Sequence, residues 1–423
     1  MRKRIREFIV RLEPRPSHYS RLKNDKKLYI SANESKIRLY RRFLQTNPDL
    51  TPTENNRGAK YWLFCEIMDH EFNISIGYPR SDLCNECELF NTRITNARQE
   101  NREEERHLLE EQQDRHWRGA EHFQDELRNA KQVDQISFSL CFDYQKNFVL
   151  PLTGIGKEYF SSHLNIYNLG FQNLATEHAV MVMYPQHYAH KSANEVASLL
   201  EYYCKNFVPE NVHYLNLFSD NAATNKNRFV FAMCQYLCLK RFHRITFTFP
   251  TPGHSFMPID RSFALIEKLK KKEDRVVAPS TWTDLVKRSR PSSPFELLYL
   301  EKPFTDDMRN DETPTVRVKN FKNALNPHLR NRLSINTIKK ITFNPDLHPQ
   351  IATEYGEPCN QDLRLFIDTV SVNDILNSID NAEFAYDEGT FLPVPQAAAT
   401  SCHDILRHVI VPNNVTFFNN LHA

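Results

Sequence analysis

The chain has 423 residues, of which 40% are hydrophobic and 25% charged, and its formal net charge is +2. These values are typical of a globular protein with two or three domains, or one core with extensions, and they exclude a strongly basic protein that binds polyanions over its whole surface. Only nine residues are glycine, which disfavours a glycine-rich phosphate loop, and no apolar run reaches the roughly 18 residues of a membrane helix.

The N-terminal third of the chain predicts a mainly helical region. Residues 61–76 are apolar enough to pack against another part of the protein. Residues 92–132 are almost all polar or charged, with sparse apolar positions, and this pattern predicts a long exposed helix, alone or in a helical pair.

From residue 136 the pattern changes to that of a β-sheet. The stretch ISFSLCFD at 136–143 places its apolar residues on alternate positions, which predicts a strand. Two further strands are predicted at 163–170 and 177–184, separated by turn-like residues. Their spacing favours an antiparallel meander.

Alternating helices and strands follow the meander. Ser192 and Glu195 have the spacing of a capping box, which predicts the start of a helix. The later predicted elements are a strand at 212–219, a helix at about 226–240, a strand at 244–249 and a helix at about 259–272. The resulting order, β-β-β-α-β-α-β-α, is that of an RNase H-like fold.

We therefore predict an α/β protein in three parts. Residues 1–135 form the helical N-terminal region with a zinc knuckle, and residues 136–275 form the RNase H-like core. Residues 276–423 contain proline-rich and asparagine-rich stretches that interrupt short apolar runs, so we expect an irregular C-terminal accessory region.

Three aspartates fall where this topology brings chain segments together. Asp143 ends the first strand, Asp220 ends the fourth, and Asp260 begins the last helix. Because the first and fourth strands are neighbours in an RNase H-like sheet, we expect these carboxylates to lie close together. Clustered carboxylates repel one another without a cation, and Mg²⁺ or Mn²⁺ suits such oxygen ligands. Two such ions would clamp the attacking and leaving oxygens of a phosphodiester.

Other interpretations of these residues stay open. An aspartate at a strand end or a helix start is more often a cap or turn residue than a metal ligand. Glu267 competes with Asp260 for the role of the third acid, because it lies two turns further along the same predicted helix. His254 is a candidate for proton transfer at this site, although a structural role is the simpler interpretation.

Cys84 and Cys87 have the spacing of paired metal ligands and are a candidate half of a structural zinc site. Two reduced thiols near a turn are the alternative. The nine cysteines form no regular framework, which indicates a reducing, intracellular setting. The other zinc ligands would come from nearby residues: His107, His116 and His122 on the predicted long helix, and Cys65 and His70 before the pair.

Six segments occur in order along the chain: PRPSHYSRL, EFNISIGYPRSDLCNECE, FDYQKNFVLP, LNIYNLG, FSDNAATNKNRF and GHSFMPIDRSFALIEK. Together they resemble a family of uncharacterised, transposon-derived proteins of animal genomes, and the resemblance covers roughly residues 10–290. It implies a DNA transposase ancestry with an RNase H-like core. It also implies a set of site residues: Asp143, Asp220 and Asp260 as the three acids, and Cys84, Cys87 and His116 as zinc ligands.

The leading expectation is a transposase-like, metal-dependent nuclease or strand transferase acting on DNA phosphodiesters. The chain departs from the family in residues 221–227, which lack the glycine usual in that loop and so limit backbone approach to a ligand. A catalytically inert module that binds nucleic acid or protein is therefore the alternative. An RNA-directed nuclease on the same fold is a third.

Partners and location follow from this expectation. The basic clusters at 2–11 and 268–272 are candidates for contacts with DNA phosphates, although a solvated surface is the simpler interpretation of each. The resemblance further implies a homo-oligomer, a nuclear protein, and a separate DNA-binding domain missing from this sequence.

Overall fold

The computed structural model describes most of the chain. The described residues are 1–12, 14–16, 28–30, 34–53, 56–77, 84–300, 316–386, 391–408, 418 and 421. Residues 17–22 and 78–83, which carry part of the family resemblance, lie outside them. Among the described residues, no helix is long and apolar enough to cross a membrane.

The described chain divides into two compact units. The first contains Met1–His116 together with Pro252–His254, and the second contains Trp117–Thr251 together with Ser255–Ala423. The predicted boundaries at residues 135 and 275 differ from this division. In particular, residues 276–423 belong to the same unit as the predicted core.

Both helices and strands are present, so the protein is a mixed α/β structure. The helices are α1 (Arg2–Val10), α2 (Lys36–Thr46), α3 (Tyr61–Glu66), α4 (Asn85–Gln99), α5 (Glu103–Asn129), α6 (Ala193–Asn206), α7 (Arg228–Lys240), α8 (Pro258–Lys270), α9 (Pro279–Arg288), α10 (Phe321–Leu325), α11 (Val372–Asp380) and α12 (Gln396–Leu406). The strands are β1 (Arg15–Pro16), β2 (Leu28–Ile30), β3 (Ile74–Ile76), β4 (Ser137–Tyr144), β5 (Phe148–Leu150), β6 (Leu164–Asn173), β7 (Ala179–Pro185), β8 (Tyr214–Phe218), β9 (Arg244–Thr248), β10 (Glu296–Tyr299), β11 (Lys340–Phe343), β12 (Gln350–Ala352) and β13 (Gln361–Asp362).

The first unit has a small apolar core and a three-stranded sheet. Ile5 and Ile9 of α1 pack in one cluster with Phe43 of α2 and Phe64 of α3. The sheet has the order β1-β2-β3, with β2 antiparallel to β1 and parallel to β3. Strands of two or three residues are too short to show alternation, and for this reason the sequence did not predict this sheet.

The structure has two helices within residues 92–132, so the long helix predicted there is interrupted and has a helical neighbour in the chain. Helix α4 ends at Gln99 and α5 begins at Glu103. Between them Asn101 adopts a φ of 55°, a left-handed conformation that terminates helices. The amide of Arg102 then donates to the carbonyl of Ala97 at 2.8 Å and closes the end of α4.

The second unit is built on one large mixed sheet. Its strand order is β10-β7-β6-β4-β8-β9-β11-β12-β13, and β5 pairs with β6. Strands β4, β6 and β7 are successively antiparallel, whereas β4, β8 and β9 are parallel. The strands and helices predicted between residues 136 and 272 are all present, with ends within about three residues of the prediction. The capping box of Ser192 and Glu195 is present at the start of α6.

Apolar residues cover both faces of this sheet. Leu140 and Leu217 point to one face, where they pack with residues of α6 and α7. Their neighbours Cys141 and Phe218 point to the other face, where they pack with residues of α8 and α9. This alternation is the geometry of extended strands, and burial on both faces explains why the central strands have few charged residues.

The C-terminal region is more regular than the sequence predicted, because it contributes four strands to the large sheet. Strand β10 pairs in parallel with β7, and β11 pairs antiparallel with β9 at the other edge. Strands β12 and β13 then extend that edge. These strands have two to four residues each, so they gave no recognisable period, and their position depends on pairing with distant strands.

Candidate metal centres

The first candidate site lies at the carboxyl ends of β4 and β8. These strands are parallel, and Cys141 pairs in register with Phe218. Asp143 comes two residues after Cys141, and Asp220 comes two residues after Phe218. The pairing therefore brings the two carboxylates to the same level of the sheet, as the sequence predicted.

An asparagine that the sequence did not single out joins these two carboxylates. The side-chain amide of Asn225 donates to Oδ1 of Asp143 at 3.2 Å and to Oδ1 of Asp220 at 2.8 Å. Asn225 is fully buried, so its amide is fixed between the two acids. It was missed because one asparagine in the run NAATNKN carries no distinguishing signal.

The electrostatics of the site depend on all three aspartates. The pKa of Asp143 is raised well above its ordinary value, first by burial and then by the charges of Asp220 and Asp260. Glu267, the competing third acid, instead accepts hydrogen bonds from Gln145 at 2.9 Å and Lys270 at 3.3 Å. Asp260 is therefore the better candidate for the third acid.

The structural interpretation of these aspartates also has support. Asp260 occupies the third position of α8, and its Oδ2 accepts a hydrogen bond from the amide of Met257 at 2.7 Å. Asp220 Oδ1 accepts from the amide of Ala222 at 2.9 Å, which is a turn-forming contact. Each carboxylate thus supports local backbone structure, and this role is compatible with metal binding through its remaining lone pairs.

Side-chain bonds fix the loop that follows Asp220. The ammonium of Lys226 is buried and donates to Asn221 Oδ1 at 2.9 Å and to the carbonyl of Ile338 at 2.6 Å. Burial lowers the pKa of Lys226 to about 8. The amide of Asn221 in turn donates to the carbonyl of Pro250 at 2.7 Å. The loop therefore holds its shape without the glycine that the related family has there.

A lysine lies beside the acids. Lys191 is exposed, and its ammonium stands 4.7 Å from the ring centre of Tyr144. Partial burial of its ammonium lowers the pKa of Lys191, whereas the charges of Asp143 and Asp220 raise it. No sequence pattern singles out this residue, because it precedes the capping box and resembles any surface lysine.

The second candidate site is a cluster of two cysteines and two histidines within the first unit. It contains Cys84, Cys87, His116 and His254, and their candidate ligand atoms all lie within 4.8 Å of one another. Cys84 Sγ lies 3.3 Å from His116 Nε2, Cys87 Sγ lies 3.4 Å from His254 Nε2, and the two Nε2 atoms are 3.0 Å apart. Four ligands around one tetrahedral zinc ion stand about 3.3–3.8 Å apart, so this donor set fits zinc.

Neighbouring groups orient the cluster. Glu86 Oε2 lies 2.9 Å from Nδ1 of His116, which leaves Nε2 of that ring directed at the cysteines. Cys84 is the N-cap residue of α4. The pKa of Cys84 is strongly lowered, first by its hydrogen bond with Cys87 and further by His116 and His254. A thiolate is the form of cysteine that binds metals.

Gly253 is required by the geometry of this cluster. It has a φ of 76°, and a Cβ added there would lie 2.6 Å from Cys84 Sγ.

We expect Gly253→Ala to weaken metal retention at least tenfold, because it combines backbone strain with a clash at a ligand. Competition with a colorimetric zinc chelator measures this. Gly156→Ala is the matched control, since a Cβ there meets no atom within 4 Å; equal zinc retention by both variants would contradict the prediction.

The structure brings the predicted zinc ligands Cys84, Cys87 and His116 together and adds His254 to them. His116 joins the cysteine pair, in agreement with the resemblance. His254, expected beside the aspartates, lies in the cysteine cluster instead. The other candidate histidines lie elsewhere: His107 Nδ1 is 3.7 Å from Glu110, and His122 lies against Gly356. Among the described residues, the three aspartates do not form a group as tight as the Cys-His cluster.

Comparison with known proteins gives one family match. Residues 160–360 match a domain of unknown function, DUF7869. The matched segment includes Asp220, His254 and Asp260, whereas Asp143 and the cysteine pair precede it. No curated protein and no solved structure matches the chain. The match therefore assigns no activity.

Proposed function

We propose that the second unit is an RNase H-like domain of transposase ancestry that acts on DNA phosphodiesters with the help of Mg²⁺ or Mn²⁺. The order of the strands supports this fold. Strands β4, β6 and β7 form the antiparallel meander, and β8, the next long strand, returns to the far side of β4. The first and fourth long strands are therefore neighbours, as in the RNase H-like sheet.

One observation carries the proposal of a metal site. The carboxylates of Asp143 and Asp220 both accept from the amide of Asn225, and the pKa of Asp143 is raised by burial and by the other two acids. A half-buried group of acids with this electrostatic conflict is stabilised by a cation, and carboxylate oxygens suit Mg²⁺ and Mn²⁺.

The chain's own residues have distinct roles in the proposed reaction. When bound, the metal ions would supply the Lewis acidity for displacement at phosphorus by water or a DNA 3′-hydroxyl. Asp143, Asp220 and Asp260 would hold the ions, and the amide of Asn225 would keep the first two carboxylates aligned. Lys191 would contact a phosphate, because the residue is exposed and its charge interacts with those of Asp143 and Asp220.

The first unit is proposed to bind structural zinc through Cys84, Cys87, His116 and His254. Four protein ligands leave no open coordination position, which is typical of a structural rather than a catalytic zinc site. His254 would be a zinc ligand in this arrangement, and this replaces its expected role in proton transfer.

Cleavage of labelled DNA in the presence of Mn²⁺ tests the nuclease proposal. We expect Asp220→Asn to lower the cleavage rate by about three orders of magnitude or more, because it removes a metal ligand. Asp284→Asn is the matched control, since this aspartate is exposed on α9. If Asp220→Asn cleaved as fast as the control, the three-acid assignment would be wrong.

A catalytically inert DNA-binding protein is the second candidate function. The amide of Asn225 already bridges two of the acids, so this part of the site is partly satisfied by the chain itself. This candidate predicts salt-sensitive DNA binding with no cleavage by the parent chain or by Asp220→Asn.

A further inference from the structure

A short turn in the second unit displays two aromatic rings to solvent. The turn is the 3₁₀ segment Gly156–Phe160, called here the aromatic turn. Tyr159 is 87% exposed and Phe160 is 88% exposed, and their ring centres are 5.0 Å apart at an angle of 83°. Single exposed aromatics are ordinary, but two adjacent and almost fully exposed rings are a candidate binding surface.

Buried hydrogen bonds anchor this turn. Glu158 lies between Lys157 and the aromatic pair and is 8% exposed. Its Oε2 accepts from the amide and the hydroxyl of Thr153, both at 2.6 Å, and from the amide of Gly154 at 2.9 Å. The carboxylate therefore fixes the backbone from inside and leaves the two rings outside, so their exposure results from a specific structure.

A backbone bridge joins the chain just before the aromatic turn to the chain just after a basic segment. Leu152 exchanges backbone hydrogen bonds of 2.7 and 2.6 Å with Val276, which follows α8 closely in the chain. The basic segment consists of four exposed residues at the end of α8 and just beyond it: Lys268, Lys271, Lys272 and Arg275. Within the part of the chain that the structure describes, these four side chains form no ion pair with an acid.

Helix α8 connects this surface to the proposed catalytic acids. Asp260 lies in its first turn, and the exposed or half-buried residues Arg261, Leu265, Lys268 and Lys272 follow at spacings that place them on one face. The rise from Asp260 to Lys271 is about 16 Å, which corresponds to roughly five nucleotide steps along one strand of duplex DNA.

We infer that the aromatic turn and the basic segment together bind unpaired DNA next to the catalytic acids. Aromatic rings stack on the bases of single strands whatever their sequence, and lysine and arginine contact the phosphates. Adjacent cations favour a polyanion over an apolar protein partner or a neutral surface. This inference rests on the proposed function and specifies its substrate as DNA with unpaired bases near the reacting phosphate.

Fluorescence anisotropy with two DNA probes tests the inference. The probes are a labelled single-stranded oligonucleotide and the same strand in a complete duplex. The protein is the 423-residue chain with Asp220→Asn, without added Mg²⁺ or Mn²⁺, so that binding is measured apart from cleavage. We expect Tyr159→Ala with Phe160→Ala to raise the Kd for the single strand about tenfold or more and to change the duplex Kd little.

Two further variants separate stacking from charge. Lys271→Gln with Lys272→Gln should lower the salt dependence of single-strand binding by about 1.4 in log–log slope, because two cations would no longer neutralise phosphates of the strand. Trp62→Ala is the matched control, because this ring is 61% exposed in the first unit. Circular dichroism verifies that each variant is folded.

The outcomes distinguish this inference from the proposed function. Unchanged Kd values for the double aromatic variant would overturn the inference, and so would a loss of self-association in that variant with unchanged DNA binding. A parent chain that prefers the single strand through these rings but never cleaves DNA would support the inference and remove the nuclease proposal. A parent chain that binds neither probe would overturn both.

Discussion

The purified chain is expected to contain zinc in equimolar amount, and Cys87→Ser should lose it. Serine oxygen is a poor ligand for zinc, and the three remaining ligands would then leave one position open. Because a structural zinc site forms only in the folded state, the free energy of metal binding adds to that of folding. We expect a loss of at least ~3 kcal/mol in the unfolding free energy of the first unit, which lowers its Tm by roughly 10 °C or more.

Elemental analysis and thermal unfolding followed by circular dichroism measure these two effects. Cys65→Ser is the matched control, because Cys65 lies in the same unit but outside the cluster. It should retain zinc and change the Tm by no more than a few degrees. A parent chain purified without metal, with the same Tm as both variants, would show that the cluster consists of reduced thiols and neutral imidazoles.

The Cys-His cluster illustrates what local sequence patterns could and could not predict. The spacing of Cys84 and Cys87 is a local signal, and both residues were identified from it. His254 lies more than 160 residues further along the chain, and only the fold brings it to the cysteines. Glu86 lies between the two cysteines in the sequence. Its role depends on its contact with His116, and this contact could not be predicted from the sequence either.

The core of the second unit was predictable for a physical reason. Its long strands bury alternate residues and its helices bury one face, so the periods of two and 3.6 residues are present in the sequence itself. The capping box of Ser192 and Glu195 is also local. Strands β10 to β13 have no such signal, because each has at most four residues and forms only by pairing with a strand distant in the chain.

The carboxylate site was predictable in outline because strand order determines it. Once β4 and β8 are neighbours, Asp143 and Asp220 must end side by side. The contacts that tune the site were not predictable in this way. Two such contacts are that of the Asn225 amide with the carboxylates and that of the Lys191 ammonium with the Tyr144 ring. Both depend on loop conformations, which the hydrophobic periodicity of helices and strands does not predict.

Asp143→Asn is expected to abolish cleavage while making the metal-free protein more stable. The pKa of Asp143 is raised because burial and the charges of Asp220 and Asp260 disfavour its ionised form. A neutral amide removes this conflict, so we expect the metal-free variant to gain about 1 kcal/mol, or roughly 2–4 °C in Tm. Thermal unfolding of both proteins without divalent ions measures the gain.

The same pair of proteins separates a metal site from a purely structural acid. Mn²⁺ should raise the Tm of the parent chain, because a ligand that binds only the folded state stabilises it by mass action, and it should raise that of Asp143→Asn much less. Asp284→Asn should respond to Mn²⁺ as the parent does, since it lies on the exposed face of α9. If Asp143→Asn lowered the Tm without metal, the carboxylate would be a stabilising hydrogen-bond acceptor instead. The acids at the ends of β4 and β8 would then serve the backbone, as helix caps and turn residues do elsewhere.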